Sequence, residues 1–285
     1  MRVLVIGATG MFGHACFEAF ARDARFEAWG TMRSEGARAQ FPEAARARLI
    51  AGVDAGDFGS IVRAFAKARP ALVVNAVGIV KQLSSADDPL VALPLNSLFP
   101  HQLAQLCAAA GARMVHISTD CVFAGTRGGY TEADITDAKD LYGRSKAMGE
   151  VTAAPHVLTL RTSGIGRELG TQRGLVEWFL HAEGRVKGFT KAMYSGLPWV
   201  EISRVIRDVV VPRPELSGLY HLASAPISKY DLLRLVATEF RRQIEIVPDD
   251  GLVLDRTLDG SRFAAATGYH TPAWPALVAM MAQHR

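Results

Sequence analysis

Residues 1–23 read MRVLVIGATGMFGHACFEAFARD, and the change of character inside this stretch decides the fold. "RVLVIG" is a short continuous run rich in Val, Leu and Ile, the composition of a parallel strand buried on both faces. "MFGHACFEAFARD" then carries the apolar spacing of a helix. At the junction, Gly7, Gly10 and Gly13 recur at every third residue. Glycines there permit a tight turn, let backbone approach a pyrophosphate, and allow the helix to pack on the strand. The helix N-terminus brings free N–H groups and partial positive charge to the same point. A glycine triplet by itself also suits a plain strand-to-helix turn. Its place between a first strand and a first helix favours a phosphate cradle formed by Gly7, Thr9, Gly10, Met11, Phe12 and Gly13.

The alternation continues outward. "ALVVNAVG" (71–78), "RMVHIST" (113–119) and "HVLTLRT" (156–162) read as further buried strands. "DFGSIVRAFAKA" (57–68) and "PHQLAQLCAAAG" (100–111) read as helices, the second stopping at Gly111. Strands alternating with helices predict βαβ units and an α/β fold with a doubly wound parallel Rossmann sheet. After about residue 160 the pattern loosens, with prolines at 198, 212, 214, 226 and 248. The expected division is a nucleotide-binding domain over 1–160, to which part of 185–225 returns, and a smaller substrate lobe over 161–285.

Composition narrows the class. A hydrophobic content of 49% with 21% charged residues describes a globular chain, and no apolar run is long enough to span a membrane. The N-terminus lacks a signal peptide's cleavage region. Three cysteines without metal or redox spacing suit a reducing compartment, so the cytoplasm is expected. No His, Cys and carboxylate spacing implies a metal, and His14 and His116 read as packing residues. The net charge of +4 is scattered, which argues against a nucleic-acid partner and suits a ligand bearing a diphosphate.

The second strand, "FEAWGTMRS" (26–34), should end near an adenosine ribose. An acidic residue there would favour NAD by accepting from both ribose hydroxyls. Thr31, Arg33 and Ser34 stand instead, and a guanidinium with hydroxyl neighbours attracts a 2′-phosphate. NADP is therefore expected over NAD, although a solvated arginine would read the same. Asp54 is placed to meet the adenine amine, and Asp57 reads as a helix cap.

"DLYGRSKAMGE" (140–150) suits a helix capped by Asp140, with Tyr142 and Lys146 on one face one turn apart. A random Tyr-x-x-x-Lys is usually a surface aromatic with a lysine folded over it. The chemical alternative is a cation that lowers the phenol's pKa so that it exchanges protons near neutrality. Gly143 costs the helix about 1 kcal/mol and would admit a flat ligand.

Taken together, Gly7-x-x-Gly10-x-x-Gly13, Asn75-Ala76-Val77-Gly78, Ser118-Thr119-Asp120 and Tyr142-x-x-x-Lys146 resemble the extended short-chain dehydrogenase/reductases. "HISTDCVFAG", "YTEAD", "LRTS", "GLYHLASAPISKYDLLRLVA" and "GYHTPAWPALVAMM" resemble their dTDP-4-dehydrorhamnose reductase branch across nearly the whole chain. The resemblance implies an NADPH-dependent reductase of a nucleoside-diphosphate 4-keto-6-deoxy sugar serving polysaccharide synthesis. It makes Tyr142 the proton donor, Lys146 its pKa-lowering and ribose-binding partner, and Thr119 the hydroxyl that orients the substrate oxygen. Ser118 is the neighbouring alternative, since strand alternation sends one of the two to the site. Asn75, Ala76, Val77 and Gly78 would lie beside the cofactor, and Gly143 would leave room for nicotinamide or sugar. Asn96 would position backbone or water, or cap a helix. Lys81, Tyr194 and Arg256 are the expected substrate contacts.

Departures accompany these matches. The branch's usual Arg-Thr-Ser-Trp reads "RTSG", so Gly164 replaces a tryptophan that packs on the sugar. "IVKQL" (79–83) and "FTKAMYSGLPW" (189–199) also differ from the branch pattern, and Cys121 replaces a tyrosine. A site that lost an aromatic wall is expected to take a sugar other than the dTDP-rhamnose precursor. Two other activities remain open: an epimerase or dehydratase that retains NAD, and a non-catalytic nucleotide-binding regulatory subunit. The expected partner is the nucleotide sugar, with no nucleic acid and no membrane, and a homodimer is left open.

Overall fold

The computed structural model describes residues 1–79, 84–167 and 174–284. Seven parallel strands form the central sheet. Six are β1 (Arg2–Ile6), β2 (Glu27–Thr31), β3 (Leu49–Ile50), β4 (Leu72–Asn75), β5 (Arg113–Thr119) and β6 (Val157–Thr162), and the seventh is Gly218–His221. The order is Gly218–His221, β6, β5, β4, β1, β2, β3, so chain direction across the sheet reverses between β1 and β4. Open α/β sheets bind ligands at that switch point, outside the carboxyl ends of the strands. β4 and β6 are buried throughout; β4 opens with the apolar run Leu72–Val74, while β6 also buries the polar side chains of Thr159, Arg161 and Thr162.

Helices cover both faces. Helix α1 (Met11–Ala21) places Phe17 and Phe20 on the face of Val3, Val5 and Val74. The Phe58–Ala68 and Phe99–Ala109 helices cover the other face, where Leu4, Ile6, Val73 and Met114 meet Ile61, Phe65, Phe99 and Leu103. The Phe99–Ala109 helix ends as expected at Gly111, whose φ of 65° is the left-handed stop that glycine adopts without strain.

The carboxyl half contributes to both regions. Its Trp199–Val205 helix packs against α1, and Gly218–His221 pairs with β6. The remainder builds small sheets. Ala192–Tyr194 is flanked by Ile227–Ser228 and Leu254–Asp255, and Arg185–Phe189 pairs with Glu245–Asp249. No helix among the described residues is long and apolar enough to cross a membrane.

Candidate active site

The glycine turn folds as its spacing demands. Gly7 takes φ 85° and its carbonyl accepts from the Gly10 N–H at 3.1 Å, tightening the turn into α1. A Cβ on Gly13 would stand 2.0 Å from the Gly7 oxygen, so only glycine lets helix and turn meet. Gly10 is the N-cap of α1, with no side-chain cap bond and no acidic residue in the first turn. The leading N–H groups, from Met11 and Phe12 onward, are thus left to an outside anion. Thr9 and Met11 are half-buried and Phe12 is buried. Across the switch point, Val77 and the Ala76 carbonyl lie against Gly7.

Around the adenosine end the predicted residues divide. Arg33 and Ser34 are exposed at the end of β2. Thr31 is buried, and its hydroxyl accepts from the Gly7 N–H at 3.0 Å. It supports the turn from beneath and does not reach outward to a 2′-phosphate. Asp54 is exposed, with one carboxylate oxygen accepting from the Gly56 N–H at 2.8 Å. Asp57 occupies the N-cap position of its helix without a side-chain cap bond and pairs instead with Arg63 at 3.1 Å.

Thr119, Tyr142 and Lys146 meet at the carboxyl end of β5. Asp140 caps the Leu141–Met148 helix by accepting from the Gly143 N–H at 2.7 Å, as its sequence predicts. Tyr142 is half-buried, with the Thr119 side chain near enough to act on its phenol. The Thr119 hydroxyl also donates to Asp120 and accepts from the Cys121 N–H, each at 3.1 Å. Lys146 is buried, and its Nζ donates to the Ile117 carbonyl at 2.8 Å. Gly78 lies beside it, since a Cβ there would be 3.8 Å from that Nζ.

Three expectations need correction here. Ser118 points away from the site: its hydroxyl donates to Glu150 at 2.6 Å, inside a buried Glu150–Arg161 ion pair. The phenol of Tyr142 is not lowered. Burial, then Cys121, Asp120 and Asp140 nearby, hold its pKa above the ordinary phenol value, against the opposing Thr119 bond. Burial instead brings Lys146 down to about 8. Gly143 does not make room for a ligand, because a Cβ there would stand 2.2 Å from the Cys121 carbonyl oxygen. The glycine lets the tyrosine helix pack against the strand that carries Thr119.

Asparagines hold the frame. Asn75 is buried, spanning His116 and the Val77 N–H at 3.1 Å each, so its side chain serves the protein. Asn96, fully buried in a π-helical segment, accepts from Ile79 at 2.9 Å and donates to Ser145 at 3.1 Å. It ties the loop after β4 to the tyrosine helix, and is not a cap.

Tyr194 and Arg256 come from the carboxyl half of the chain. Tyr194 donates its hydroxyl to the Ser163 carbonyl at 2.9 Å, bracing the end of β6. Arg256 donates to the Phe123 carbonyl at 2.8 Å and reaches the Cys121 sulfur at 3.7 Å. Lys81 lies outside the described residues. Two charged groups were not anticipated. Asp120 has its pKa raised by burial, opposed by its Thr119 hydrogen bond and the Arg256 charge, and Lys229 is lowered by burial, opposed by Asp120 and Cys121. "STDC" and "ISKYD" show such residues in sequence, but not that the fold brings them together.

Gly164 lies against an aromatic side chain of another element. A Cβ on Gly164 would be 1.9–2.1 Å from the Trp199 six-membered ring. The space beside Gly164 is thus filled by a protein side chain from another element. Behind Trp199 lies a cavity of about 300 Å³ bordered also by Met11, His14, Ile165 and Met281; Thr119, Tyr142 and Lys146 do not line it. No group of three or more metal-binding side chains occurs among the described residues.

Residues 1–283 match the family model described as RmlD substrate binding domain. The dTDP-4-dehydrorhamnose reductase of Salmonella typhimurium is 30% identical over 200 residues, 66% of this chain and 67% of that protein. Methionine adenosyltransferase 2 subunit beta of Mus musculus is 32% identical over 149 residues, 52% of this chain but 41% of that one. A dTDP-4-dehydrorhamnose reductase structure from Bacillus anthracis, in complex with NADP, superposes with a TM-score of 0.80 at 18% identity, covering 98% of both chains. The chain belongs to the RmlD substrate binding domain family.

Proposed function

We propose that this protein is an NADPH-dependent reductase of a nucleoside-diphosphate 4-keto-6-deoxy sugar. The observation that carries it is the grouping of Thr119, Tyr142 and Lys146 at the carboxyl end of β5, with the Lys146 ammonium beside Gly78 and the uncapped glycine turn opening α1 on the next strand but one. The chain fits the dinucleotide. Gly10 to Phe12 would hold the diphosphate, Arg33 the 2′-phosphate, and Lys146 the nicotinamide ribose. The bound dihydronicotinamide supplies the hydride for the carbonyl carbon.

The chain's own groups manage the proton. A phenol held above its ordinary pKa stays protonated at neutral pH, as a donor to a developing alkoxide must. Thr119 orients the substrate oxygen toward that phenol. Lys146, with a pKa of about 8, carries its charge at neutral pH and favours the phenolate left after the proton has gone. The proton passes from the Tyr142 oxygen to the sugar oxygen, and solvent restores it. Relatives named for the dTDP-linked substrate support that sugar as the first to assay.

One relative is named as a subunit of another enzyme, but the complete Thr119–Tyr142–Lys146 set supports a catalyst here. The test is Tyr142→Phe, which removes one hydroxyl. NADPH binding is expected to persist while turnover of dTDP-, GDP- or UDP-linked 4-keto sugars falls by about 10²–10⁴-fold. Near-normal reduction by the variant would overturn the assignment.

A further inference from the structure

A buried ion pair is tied to the strand that carries Thr119. Glu150 follows the Leu141–Met148 helix, four residues after Lys146, and Arg161 lies on β6. The two side chains are 6% and 4% exposed, and the guanidinium donates to both carboxylate oxygens at 2.7 Å each. The Ser118 hydroxyl donates to the same carboxylate at 2.6 Å. Arg161 also donates to His221 at 3.3 Å and lies over the Phe123 ring at 5.1 Å. A buried pair of this kind adds little stability over apolar side chains of similar volume, because both charges must be desolvated. Its presence asks for another purpose.

The surroundings supply one. Ser118, held by Glu150, stands between Thr119 and Ile117, whose carbonyl accepts from the Lys146 Nζ at 2.8 Å. One carboxylate thus fixes the strand end that places both groups. It is also the charge to which Lys146 responds, since burial disfavours the ammonium and Glu150 opposes that. The other titratable groups around the lysine are differently occupied. His116 on β5 is held neutral by burial, and Asp120, just after β5, is itself pushed up by burial. On the lysine's own helix Tyr142 keeps its proton, and Arg144 is exposed. Asp87 and Asp88, from the segments packed against that helix, are exposed as well.

We propose that Glu150 is a positioning residue for the reduction: clamped by Ser118 and Arg161, its carboxylate fixes the Ile117–Thr119 strand end and supplies the counter-charge of the Lys146 ammonium. The assignment rests on the reductase reading above for what Thr119 and Lys146 do. Glu150 acts through those two residues.

The test separates the charge of Glu150 from its reach. In protein carrying carbon-13-labelled lysine, the Lys146 signal, identified by its loss in Lys146→Met, is titrated by NMR. The pH profile of kcat/KM is measured beside it. Glu150→Gln keeps the shape and removes the charge. The lysine midpoint, about 8 in the unmodified protein, and the alkaline limb of the profile should then both fall by roughly one pH unit. Glu150→Asp keeps the charge and shortens the reach, and Ser118→Ala removes one hydrogen bond. Both should leave the two midpoints in place while kcat drops by roughly 5–10-fold. Should Glu150→Gln fail to fold with Arg161 left bare, Glu150→Gln/Arg161→Gln removes both charges. It should show a fall of the same sign, because Lys146 responds to Glu150. An unmoved lysine midpoint in the charge-removing variants overturns the counter-charge. A moved midpoint with an unmoved alkaline limb, or undiminished kcat in Glu150→Asp and Ser118→Ala, overturns the positioning role while leaving the reductase reading intact. If the unmodified protein reduces no 4-keto sugar, the reductase reading fails and the positioning role with it.

Discussion

Tyr142 and Trp199 are held in opposite ways. Around Tyr142 the supports are polar and mostly close in sequence. Asp140 caps its helix, Ser145 donates to the Tyr142 carbonyl at 2.9 Å, and Asn96 binds Ser145 from the neighbouring segment. Around Trp199 the supports are apolar and distant in sequence: Gly164 beneath and Phe12 beside it. Hydrogen-bonded geometry fixes where a proton is delivered. The apolar packing fixes how closely the Trp199 helix approaches α1 and the segment after β6.

The sharpest way to break this contrast is to disturb each side with one methyl group. Gly143→Ala forces a Cβ to within 2.2 Å of backbone, the Cys121 carbonyl, which cannot rotate away. The tyrosine helix must shift, and a displacement near 1 Å costs roughly 10²-fold in kcat/KM. Gly164→Ala meets only the Trp199 side chain, which can move, so it should cost stability of about 1–3 kcal/mol with a smaller loss of turnover. Steady-state kinetics and thermal melts of both variants check the difference. Equal kinetic losses would erase the distinction between the two sides.

The next largest effect concerns the exposed end of the cradle. Arg33→Ala should weaken NADPH by about one to two decades, the value of a charge-assisted bond of ~1.5–3 kcal/mol, and leave NADH nearly unchanged. Calorimetric titration with both cofactors checks it. An equal loss for both would remove Arg33 from the 2′-phosphate site.

Smaller still are the effects of pH and of the buried lysine. Lys146 titrates near 8 in the folded protein, so kcat/KM should decline above about pH 8 as its charge is lost. A pH–rate profile flat to pH 10 would contradict this. Its pKa lies below the ordinary lysine value of 10.5, so the unfolded chain holds the proton more tightly. The penalty on folding is full below about pH 8 and fades as pH rises toward 10.5. Lys146→Met should therefore raise Tm at pH 7 by a few degrees, on the order of 1–2 kcal/mol, while weakening cofactor binding and turnover.

The residues legible in sequence are those whose purpose is local. The Gly7–Gly13 spacing, the Asp140 cap and the Tyr142–Lys146 turn follow from neighbours within one element. Gly143 reads in sequence as room for a flat ligand and Gly164 as a lost aromatic surface, because a glycine announces a close approach without naming the other party. In both cases that party is a protein group from another element, the Cys121 carbonyl and the Trp199 ring. Ser118 and Thr119 become distinguishable only when Glu150 is seen to claim the first. The phenol's raised pKa likewise depends on burial and on Asp120 and Cys121 nearby, which the Tyr-x-x-x-Lys spacing does not reveal.

The central claim is net reduction, with hydride from the cofactor and a proton from Tyr142. The most direct measurement incubates the protein with NADPH deuterated at the transferred position of C4 and a dTDP-linked 4-keto-6-deoxy sugar, then analyses the sugar by mass spectrometry and NMR. One NADP⁺ should form per sugar, with deuterium at the new carbinol carbon, and Tyr142→Phe should suppress both. Conversion of the sugar without net consumption of NADPH, and without deuterium at that carbon, would contradict the account and identify an epimerase or dehydratase instead.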